Sequence, residues 1–411
     1  MNDIDFEDTR QTFARHVNAP YVGFLERMGL AREFIRAEGA MVYDSQDRPF
    51  VDCIAGYGNL NLGHNPPKVI EATIRELQSA RPFNWPFLAE VHARLAERLA
   101  RTAPTGLDCS LIVNSGAEAV DSALKLARLV TGKPGIVATR GAWHGFTFGA
   151  LSVSEPTMRR SFEPLLAGVT QVPYGDAPAA EDAMSASTGA MIVEPIQAES
   201  GAVVPPDGYL RELAEICRKR KVLLIFDEIK TGMGKTGRLY ACEHEGAVPD
   251  ILLVGKSLGG GAMPIGALIA KRELWGTFGY SFGMSSSSGA GNAPACAAAL
   301  AALETLENDR LCENAHCRGG ELAQGLRTIH SKFPDLITGF SGRGLLAALH
   351  TRNLKTATEI VQECVQEGVL MMSAFCDKSR ILIEPPLCIT AGQMATVLGA
   401  LEKAMHRITS N

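Results

Sequence analysis

The sequence predicts an α/β protein with a mostly parallel, doubly wound sheet in a large domain and a smaller α+β domain. Apolar strand patterns alternate with amphipathic helix patterns through the middle of the 411-residue chain. Most strand segments are continuous apolar runs, which is typical of strands covered on both faces. This alternation indicates parallel strands joined by crossover helices. Ligands of such sheets bind beyond the carboxyl ends of the strands.

The order of the predicted elements separates a large unit from a small one. The large unit has strands at 109–114, 135–139, 190–195, 222–228, 250–255 and 265–270 and helices at 118–130, 207–221 and 293–307. A long helix over 309–333 leads out of it, followed by strands at 345–350, 369–372 and 381–383 and helices at 356–367 and 391–408. We therefore expect a large domain over 51–315 and a small domain formed by both chain ends, 1–50 and 316–411.

Composition and charge exclude several functional classes. The chain is 46% apolar, and its 40 Lys and Arg against 45 Asp and Glu give a formal net charge of -5. Intrinsic disorder and basic nucleic-acid binding are therefore disfavoured. The ten cysteines form no CxxC pair and no zinc-like cluster, so we expect no metal and reduced, packed thiols of a cytoplasmic protein. There is no apolar signal core and no apolar run of the roughly 18–20 residues that span a membrane.

Familiar hydrolase and nucleotide motifs are incomplete. The segment "GMGKTG" has Ile229 where a phosphate-binding P-loop requires its first Gly. The segment "SALK" lies inside a predicted helix, and neither a GxSxG elbow nor an HExxH pair occurs. These patterns do not support a nucleotide-phosphate site, a serine hydrolase or a zinc peptidase.

Two strand ends carry residues suited to a phosphate and to a cationic ring. One strand runs into Ser115, Gly116 and Ala117, immediately before a helix. Free N–H groups and the positive end of the helix dipole suit a phosphate there, although a plain capped turn has the same pattern. Asp227 closes a very apolar strand, where a buried carboxylate needs a partner. That partner is a cationic ring nitrogen or, alternatively, a Lys or Arg side chain.

Two further strand ends offer an amine and a flat ring. Lys256 closes the run "DILLVGK" before a Gly-rich turn, which favours a lowered pKa and Schiff-base chemistry, or else a surface lysine. Trp143 and His144 follow another strand and offer a stacking face and a polar contact, or else core packing. The four features together match what pyridoxal 5'-phosphate requires: a phosphate cradle, a stacking ring, an acid for the pyridine nitrogen and a Schiff-base lysine.

An ordered set of motifs resembles the class-III aminotransferases, a subgroup of the fold-type-I pyridoxal-phosphate-dependent transferases of ornithine, putrescine and 4-aminobutyrate type. In chain order the motifs are "FVDCIAGYGNLNLGHNPPKVIEA", "NSGAEAVDSALKLAR", "WHGFT", "EPIQAESGAVVPPDGYL", "FDEIKTGMGKTGRLYACEHEGAVPDIL", "GKSLGGGAMPIGALIA", "GNAPACAAALA" and "IEPPLCIT". Some stretches are most similar to putrescine aminotransferase and others to α-amino-ε-caprolactam racemase. The resemblance covers most of the chain.

The resemblance implies a role for each residue of the cofactor site. Lys256 forms the Schiff base and moves the substrate proton, and Asp227 keeps the pyridine nitrogen protonated. Trp143 and Ile229 cover the two ring faces. The phosphate is held by three consecutive residues, Ser115, Gly116 and Ala117.

Other roles follow from the same resemblance. Ser288 takes the place of a Thr that reaches the phosphate of the neighbouring subunit, which implies a homodimer with shared active sites, or a tetramer of such dimers. Glu194 acts on the cofactor through neighbouring residues. Glu199 and Tyr57 line the substrate side.

Two positions depart from the family pattern. Lys230 replaces the Gln that usually contacts the phenolic oxygen of the cofactor, as in caprolactam racemase; alternatively, its ammonium points to solvent. Leu382 occupies the usual place of a carboxylate-binding Arg. Arg380, two residues earlier, points to the same face of a strand and either replaces that Arg or leaves the clamp missing.

Three functions remain open at this point. The leading hypothesis is an aminotransferase that moves an amino group from an amine or amino acid to a keto acid or aldehyde by a ping-pong mechanism. The second is an amino-acid or amino-lactam racemase or epimerase, with Lys256 and Glu199 on opposite faces of the substrate. The third is an inactive homologue, which the retained Lys256 and Asp227 argue against.

Overall fold

The computed structural model describes residues 6–82, 88–280 and 287–410, with the backbone alone at 277–280. The helices are Phe6–Phe13 (α1), Ala19–Arg27 (α2), Ala55–Gly58 (α3), Pro67–Leu77 (α4), Glu90–Thr102 (α5), Gly116–Thr131 (α6), Phe148–Val153 (α7), Pro156–Arg159 (α8), Ala177–Asp182 (α9), Tyr209–Arg220 (α10), Arg272–Tyr280 (α11), Ala293–Asn308 (α12), Leu311–Lys332 (α13), Leu354–Gln366 (α14) and Ala391–Ser410 (α15). A π-helical segment, Ala14–Asn18, joins α1 to α2.

Fifteen strands are formed by the described residues. They are Phe34–Glu38 (β1), Met41–Asp44 (β2), Pro49–Asp52 (β3), Leu107–Val113 (β4), Gly135–Thr139 (β5), Val169–Val172 (β6), Thr188–Val193 (β7), Leu223–Asp227 (β8), Ile251–Val254 (β9), Gly266–Lys271 (β10), Ile337–Arg343 (β11), Leu346–Thr351 (β12), Val369–Leu370 (β13), Met372–Ser373 (β14) and Arg380–Ile383 (β15). The six strands predicted for the large unit are all present, within two residues of their predicted bounds.

The central sheet has seven strands in the order β4-β10-β9-β8-β7-β5-β6. The pairs from β9 through β6 are parallel, and β10 runs antiparallel to both of its neighbours. Every residue of β5, β7 and β9 is buried. Helices therefore cover both faces of the sheet, which confirms the predicted mostly parallel, doubly wound architecture.

Two four-stranded sheets, β1-β2-β3-β13 and β11-β12-β15-β14, lie outside the central one. The predicted strand at 369–372 is divided between them, because β13 pairs with β3 whereas β14 pairs with β15. The parallel pairing of β13 with β3 joins the N-terminal segment to the C-terminal segment. No helix of the described residues is long and apolar enough to cross a membrane.

Candidate active site

Most of the predicted cofactor-site residues meet at one edge of the central sheet. Each follows or ends a strand: the 115–117 turn follows β4, the 141–145 loop follows β5, Glu194 follows β7, Asp227 ends β8 and Lys256 follows β9. A cavity of about 160 Å³ lies at this edge. It is lined by Gly116, Ala117, Trp143, His144, Gly145, Glu194, Glu199, Asp227, Ile229, Lys230 and Lys256.

The turn before α6 is shaped so that backbone approaches the cavity closely. Ser115 caps the helix, and its hydroxyl accepts a hydrogen bond of 3.2 Å from the backbone N–H of Glu118. A Cβ on Gly116 would lie 2.8 Å from the side chain of Ile229, and a Cβ on Gly145 would lie 2.7 Å from that of Ala117. Only glycine therefore fits at these two positions. The first N–H groups of the 16-residue helix α6 are available to an anion there.

Asp227 is paired with a histidine rather than with Lys or Arg. Its Oδ2 lies 2.6 Å from Nδ1 of His144, and its Oδ1 accepts a 3.0 Å hydrogen bond from the N–H of Ile229. Both side chains are buried. Burial alone would lower the pKa of His144, but the hydrogen bond and charge of Asp227 outweigh it and raise that pKa. Nε2 of His144 has no protein partner among the described residues.

Lys256 opens onto the cavity from a strained position. Its φ is 45°, at the start of a 3-10 turn, and the residue is only partly accessible. Burial lowers the pKa of Lys256, and the nearby charge of Lys230 lowers it further. A larger neutral fraction makes the amine a better nucleophile.

Lys230 lies between two buried carboxylates. Its Nζ donates to Oε1 of Glu199 at 2.5 Å and to Oε1 of Glu384 at 3.1 Å. Burial would lower the pKa of Lys230, but the two carboxylates outweigh it and the pKa is raised. For Glu199, burial raises the pKa and Lys230 lowers it, with a net lowering. The ammonium is thus buried in an ion-paired cluster, not turned to solvent as one alternative had it.

Glu194 holds the loop that carries Trp143. Its Oε1 accepts a 2.8 Å hydrogen bond from the N–H of Trp143, and its Oε2 accepts one of 3.3 Å from the N–H of Ala198. Burial raises the pKa of Glu194 to about 7. The carboxyl group lines the cavity, but both of its oxygens accept hydrogen bonds from backbone N–H groups.

A second cavity of about 650 Å³ adjoins the first and shares Trp143, Glu199 and Lys256 with it. The rest of its lining is largely aromatic: Tyr21, Phe24, Tyr57, Phe146, Met372, Ser373, Phe375 and Lys378. Tyr57 therefore lies on the predicted substrate side, where its hydroxyl is 2.9 Å from the sulfur of Met372.

Three predicted site residues, Ser115, Ser288 and Arg380, do not line either cavity. Ser288 is exposed in the turn that precedes α12. Arg380 donates from Nε to Oδ2 of Asp377 at 3.0 Å, and its aliphatic part packs against Gly201. Leu382, at the place of the usual Arg, is buried in the small β11-β12-β15-β14 sheet.

Glu384 is a site residue that the sequence analysis missed. It immediately precedes the Pro-Pro pair in the motif "IEPPLCIT". That position is the only feature of the sequence that could have indicated a role in the site. The residue is buried, and burial raises its pKa, while its Oε2 has no protein partner among the described residues. Within those residues, no cluster of three or more His, Cys, Asp and Glu side chains is arranged to hold a metal.

The fold and the site together define a fold-type-I, pyridoxal-phosphate-dependent transferase. A family model described as aminotransferase class-III matches residues 27–405, so the chain belongs to the class-III aminotransferase family. As a member of this family, the protein is a pyridoxal-phosphate-dependent enzyme that transfers amino groups. The leading functional hypothesis is thereby confirmed, and nothing in the comparisons favours a racemase.

Solved structures of aminotransferases are similar over nearly the whole chain. The ornithine aminotransferase from Toxoplasma gondii ME49 is 30% identical, with 100% of this chain and 97% of that chain covered at a TM-score of 0.91. An (S)-enantioselective omega-transaminase from Thermomicrobium roseum is 26% identical, with 99% and 100% covered at 0.91. The acetylornithine aminotransferase from Elizabethkingia anophelis is 29% identical, with 94% and 98% covered at 0.81.

Proposed function

We propose that the 160 Å³ cavity holds the cofactor and that Lys256 is the residue bound to it. The observation that carries this is a single cavity lined by an amine of lowered pKa, a histidine-paired carboxylate and the glycine-walled start of α6. These groups fit an aldehyde, a ring nitrogen and a phosphate respectively. When bound, pyridoxal phosphate supplies an electron-withdrawing ring that stabilises negative charge at the substrate's α-carbon.

The residues around the ring would orient it. Ser115, Gly116 and Ala117 would hold the phosphate through hydroxyl and N–H groups, while Trp143 and Ile229 would cover the two faces. Asp227, fixed by His144, would keep the ring nitrogen protonated because a buried carboxylate stabilises an adjacent cation. Lys230 would contact the ring oxygen while its ammonium remains paired with Glu199 and Glu384.

Lys256 would also move the substrate proton. Its amine, once free, is the base placed between the two cavities to take the proton from the substrate's α-carbon. The lowered pKa increases the neutral fraction of this amine, which is the form that accepts a proton.

Glu199 is poorly suited to act as a second base, as racemisation would require. Its Oε1 is held by Lys230 at 2.5 Å, and its Oε2 accepts a 3.0 Å hydrogen bond from the N–H of Phe375. Because the pKa of this carboxyl is lowered, it is a weak proton acceptor near neutral pH. This arrangement supports amino transfer over the alternative.

The test is a donor panel added to the holoenzyme in deuterated buffer. We expect stoichiometric loss of the absorbance of the lysine-bound cofactor, release of an aldehyde or keto product, and recovery on addition of a keto acid. The Lys256→Ala variant should show none of these. Deuterium at the α-carbon with inversion and no carbonyl product would refute amino transfer.

We further propose a cytoplasmic homodimer with shared active sites, built from a large domain over 51–315 and a small domain over 1–50 and 316–411. No side chain of α1 or α2 is buried. Three apolar residues are exposed: Phe13 in α1, Val17 in the π-helical segment and Tyr21 in α2. Such apolar exposure is typical of a surface that another subunit covers. Ser288 lies outside its own chain's cavity, as expected if it serves the neighbouring site.

A further inference from the structure

The short turn α3, which carries Tyr57, is left-handed. All four of its residues have a positive φ: 46° at Ala55, 59° at Gly56, 58° at Tyr57 and 84° at Gly58. Residues other than glycine rarely adopt this region, because their Cβ crowds the backbone. Such strain persists only where the surrounding structure holds it, and it is typical of functional sites.

Asp52 holds the first end of this turn. Its Oδ1 accepts hydrogen bonds from the N–H of Ile54 at 2.8 Å and from that of Ala55 at 3.0 Å. Its Oδ2 lies 2.8 Å from Nε2 of His64, and Asp52 is buried. The carboxylate is therefore fixed on both sides, and it sets the direction in which the chain enters α3.

Ser257 holds the other end of the turn, and it is the residue that follows Lys256. Its hydroxyl donates to the carbonyl oxygen of Gly58 at 2.7 Å and accepts a hydrogen bond of 3.2 Å from the N–H of Asn61. Ser257 is only 1% exposed, so both bonds lie in the interior. The left-handed turn is thus tied to the backbone segment that carries the reacting amine.

The turn also packs against both lysines of the site. A Cβ on Gly58 would lie 3.4 Å from Cγ of Lys230 and 3.7 Å from Cδ of Lys256. Tyr57 lines the larger cavity, and its hydroxyl contacts the sulfur of Met372. The place of this ring relative to Lys256 therefore depends on the path of α3.

We propose that Ser257 is a positioning residue for the substrate: its hydroxyl holds the left-handed turn, and with it the ring of Tyr57, beside Lys256. The inference rests on the proposed function, because it takes the larger cavity as the place where the substrate binds. Ser257 lines neither cavity, so it acts on a substrate only through the turn. Without the hydroxyl, the carbonyl of Gly58 loses its partner and the turn relaxes.

The first test measures the strain of the turn in the apoprotein by urea unfolding. Tyr57→Gly should be more stable than Tyr57→Ala, because glycine adopts a positive φ without crowding by a Cβ. In the Ser257→Ala background this advantage of glycine should disappear, because the turn is no longer held in its left-handed form. An equal advantage in both backgrounds would overturn the role of Ser257, whatever reaction the enzyme catalyses.

The second test measures amine binding by the holoenzyme through the absorbance of the lysine-bound cofactor. The probes are 2-phenylethylamine, which carries an aromatic ring, and methylamine, which has no group beyond its reacting carbon. Ser257→Ala should raise the Kd of 2-phenylethylamine about fivefold, as for the loss of one aromatic contact. The Kd values of methylamine and of the cofactor should stay unchanged. Tyr57→Ala should have the same effect, and the double variant no more than either single one, because both changes act through one ring.

Ser152→Ala is the matched control. Ser152 is also buried, and its hydroxyl donates to the carbonyl oxygen of Phe148 and accepts from the N–H of Leu166, but it lines neither cavity. This variant should lose stability with no change in the Kd of either amine.

The outcomes separate this inference from the proposed function. Additive effects of Ser257→Ala and Tyr57→Ala, or an equal rise in Kd for the two amines, would overturn the positioning role and leave amino transfer intact. If neither amine changes the absorbance of the wild-type holoenzyme, the proposed amine site is refuted. The urea comparison then still decides whether Ser257 holds the turn.

Discussion

At the scale of single residues, the buried contact between His144 and Asp227 makes stability depend on pH. The folded-state pKa of His144 is raised because Asp227 outweighs the effect of burial. The stabilisation is therefore fully present below the unfolded pKa, about 6.5, and is lost as pH rises through the folded pKa.

Replacing Asp227 with Asn should consequently destabilise the apoprotein more at pH 6 than at pH 9. We expect a loss of about 1–3 kcal/mol at pH 6, as for a buried hydrogen bond to a charged group. Urea unfolding at both pH values measures it. Asp250→Asn is the matched control, because Asp250 pairs at 2.6 Å with a lysine, Lys271, rather than with a histidine. A pH-independent loss for Asp227→Asn would show that His144 is neutral in the fold.

Residue-scale reasoning from the sequence selected residues that line one cavity, but not the side chains that pair with them. Lys256 and Asp227 could be predicted because a charged residue at the end of a continuous apolar strand is unusual, and this pattern can be recognised from the local sequence alone. The partner Glu384 could not, because it is 154 residues from Lys230 and follows β15, a strand of another sheet. Arg380 shows the same limit: its strand face was predictable, but not that Asp377 would hold its guanidinium.

At the scale of elements, the contact between the start of α6 and Ile229 fixes the turn that we propose binds the phosphate. The Gly116→Ala variant would place a methyl group 2.8 Å from Ile229, so the turn or the ring-covering side chain must move. We expect a loss of about 1–3 kcal/mol in stability, as for overpacking, and weaker cofactor binding. Equilibrium dialysis of the cofactor and urea unfolding measure the two effects.

A second substitution tests whether the contact is responsible. Gly116→Ala with Ile229→Ala should recover stability, because the clashing side chain is gone. Gly392→Ala on α15 is the control, since a Cβ there meets no atom within 4 Å, and cofactor binding should not change. If Gly116→Ala binds the cofactor as wild type does, the phosphate does not sit at this turn.

Strand prediction was most reliable where burial was complete. The strands β5, β7 and β9 are buried throughout, and their apolar runs revealed them. The sequence analysis missed β1, whose pattern is almost entirely exposed, and β6, which has only four residues. A mixed polar pattern in a short strand has no period that distinguishes it from a loop.

At the scale of the whole molecule, the proposed shared site predicts complementation between two inactive variants. Lys256→Ala lacks the cofactor-binding amine. Ser288→Glu places a negative charge where the proposed dimer brings the partner's phosphate, and like charges repel. Each homodimer should be inactive. In a mixed dimer, one site combines the intact Lys256 of one chain with the intact Ser288 of the other.

Coexpression of the two variants, each with its own affinity tag, should therefore restore activity. Random pairing makes about half of the dimers mixed with one intact site each, so we expect about a quarter of wild-type specific activity. Tandem affinity purification should isolate the mixed dimer at about half of wild-type activity, with one cofactor-competent site per dimer. If Ser288→Glu is active alone, or if the mixed dimers are inactive, Ser288 does not act across an interface. If sedimentation shows that the active species is a monomer, the shared site is excluded altogether.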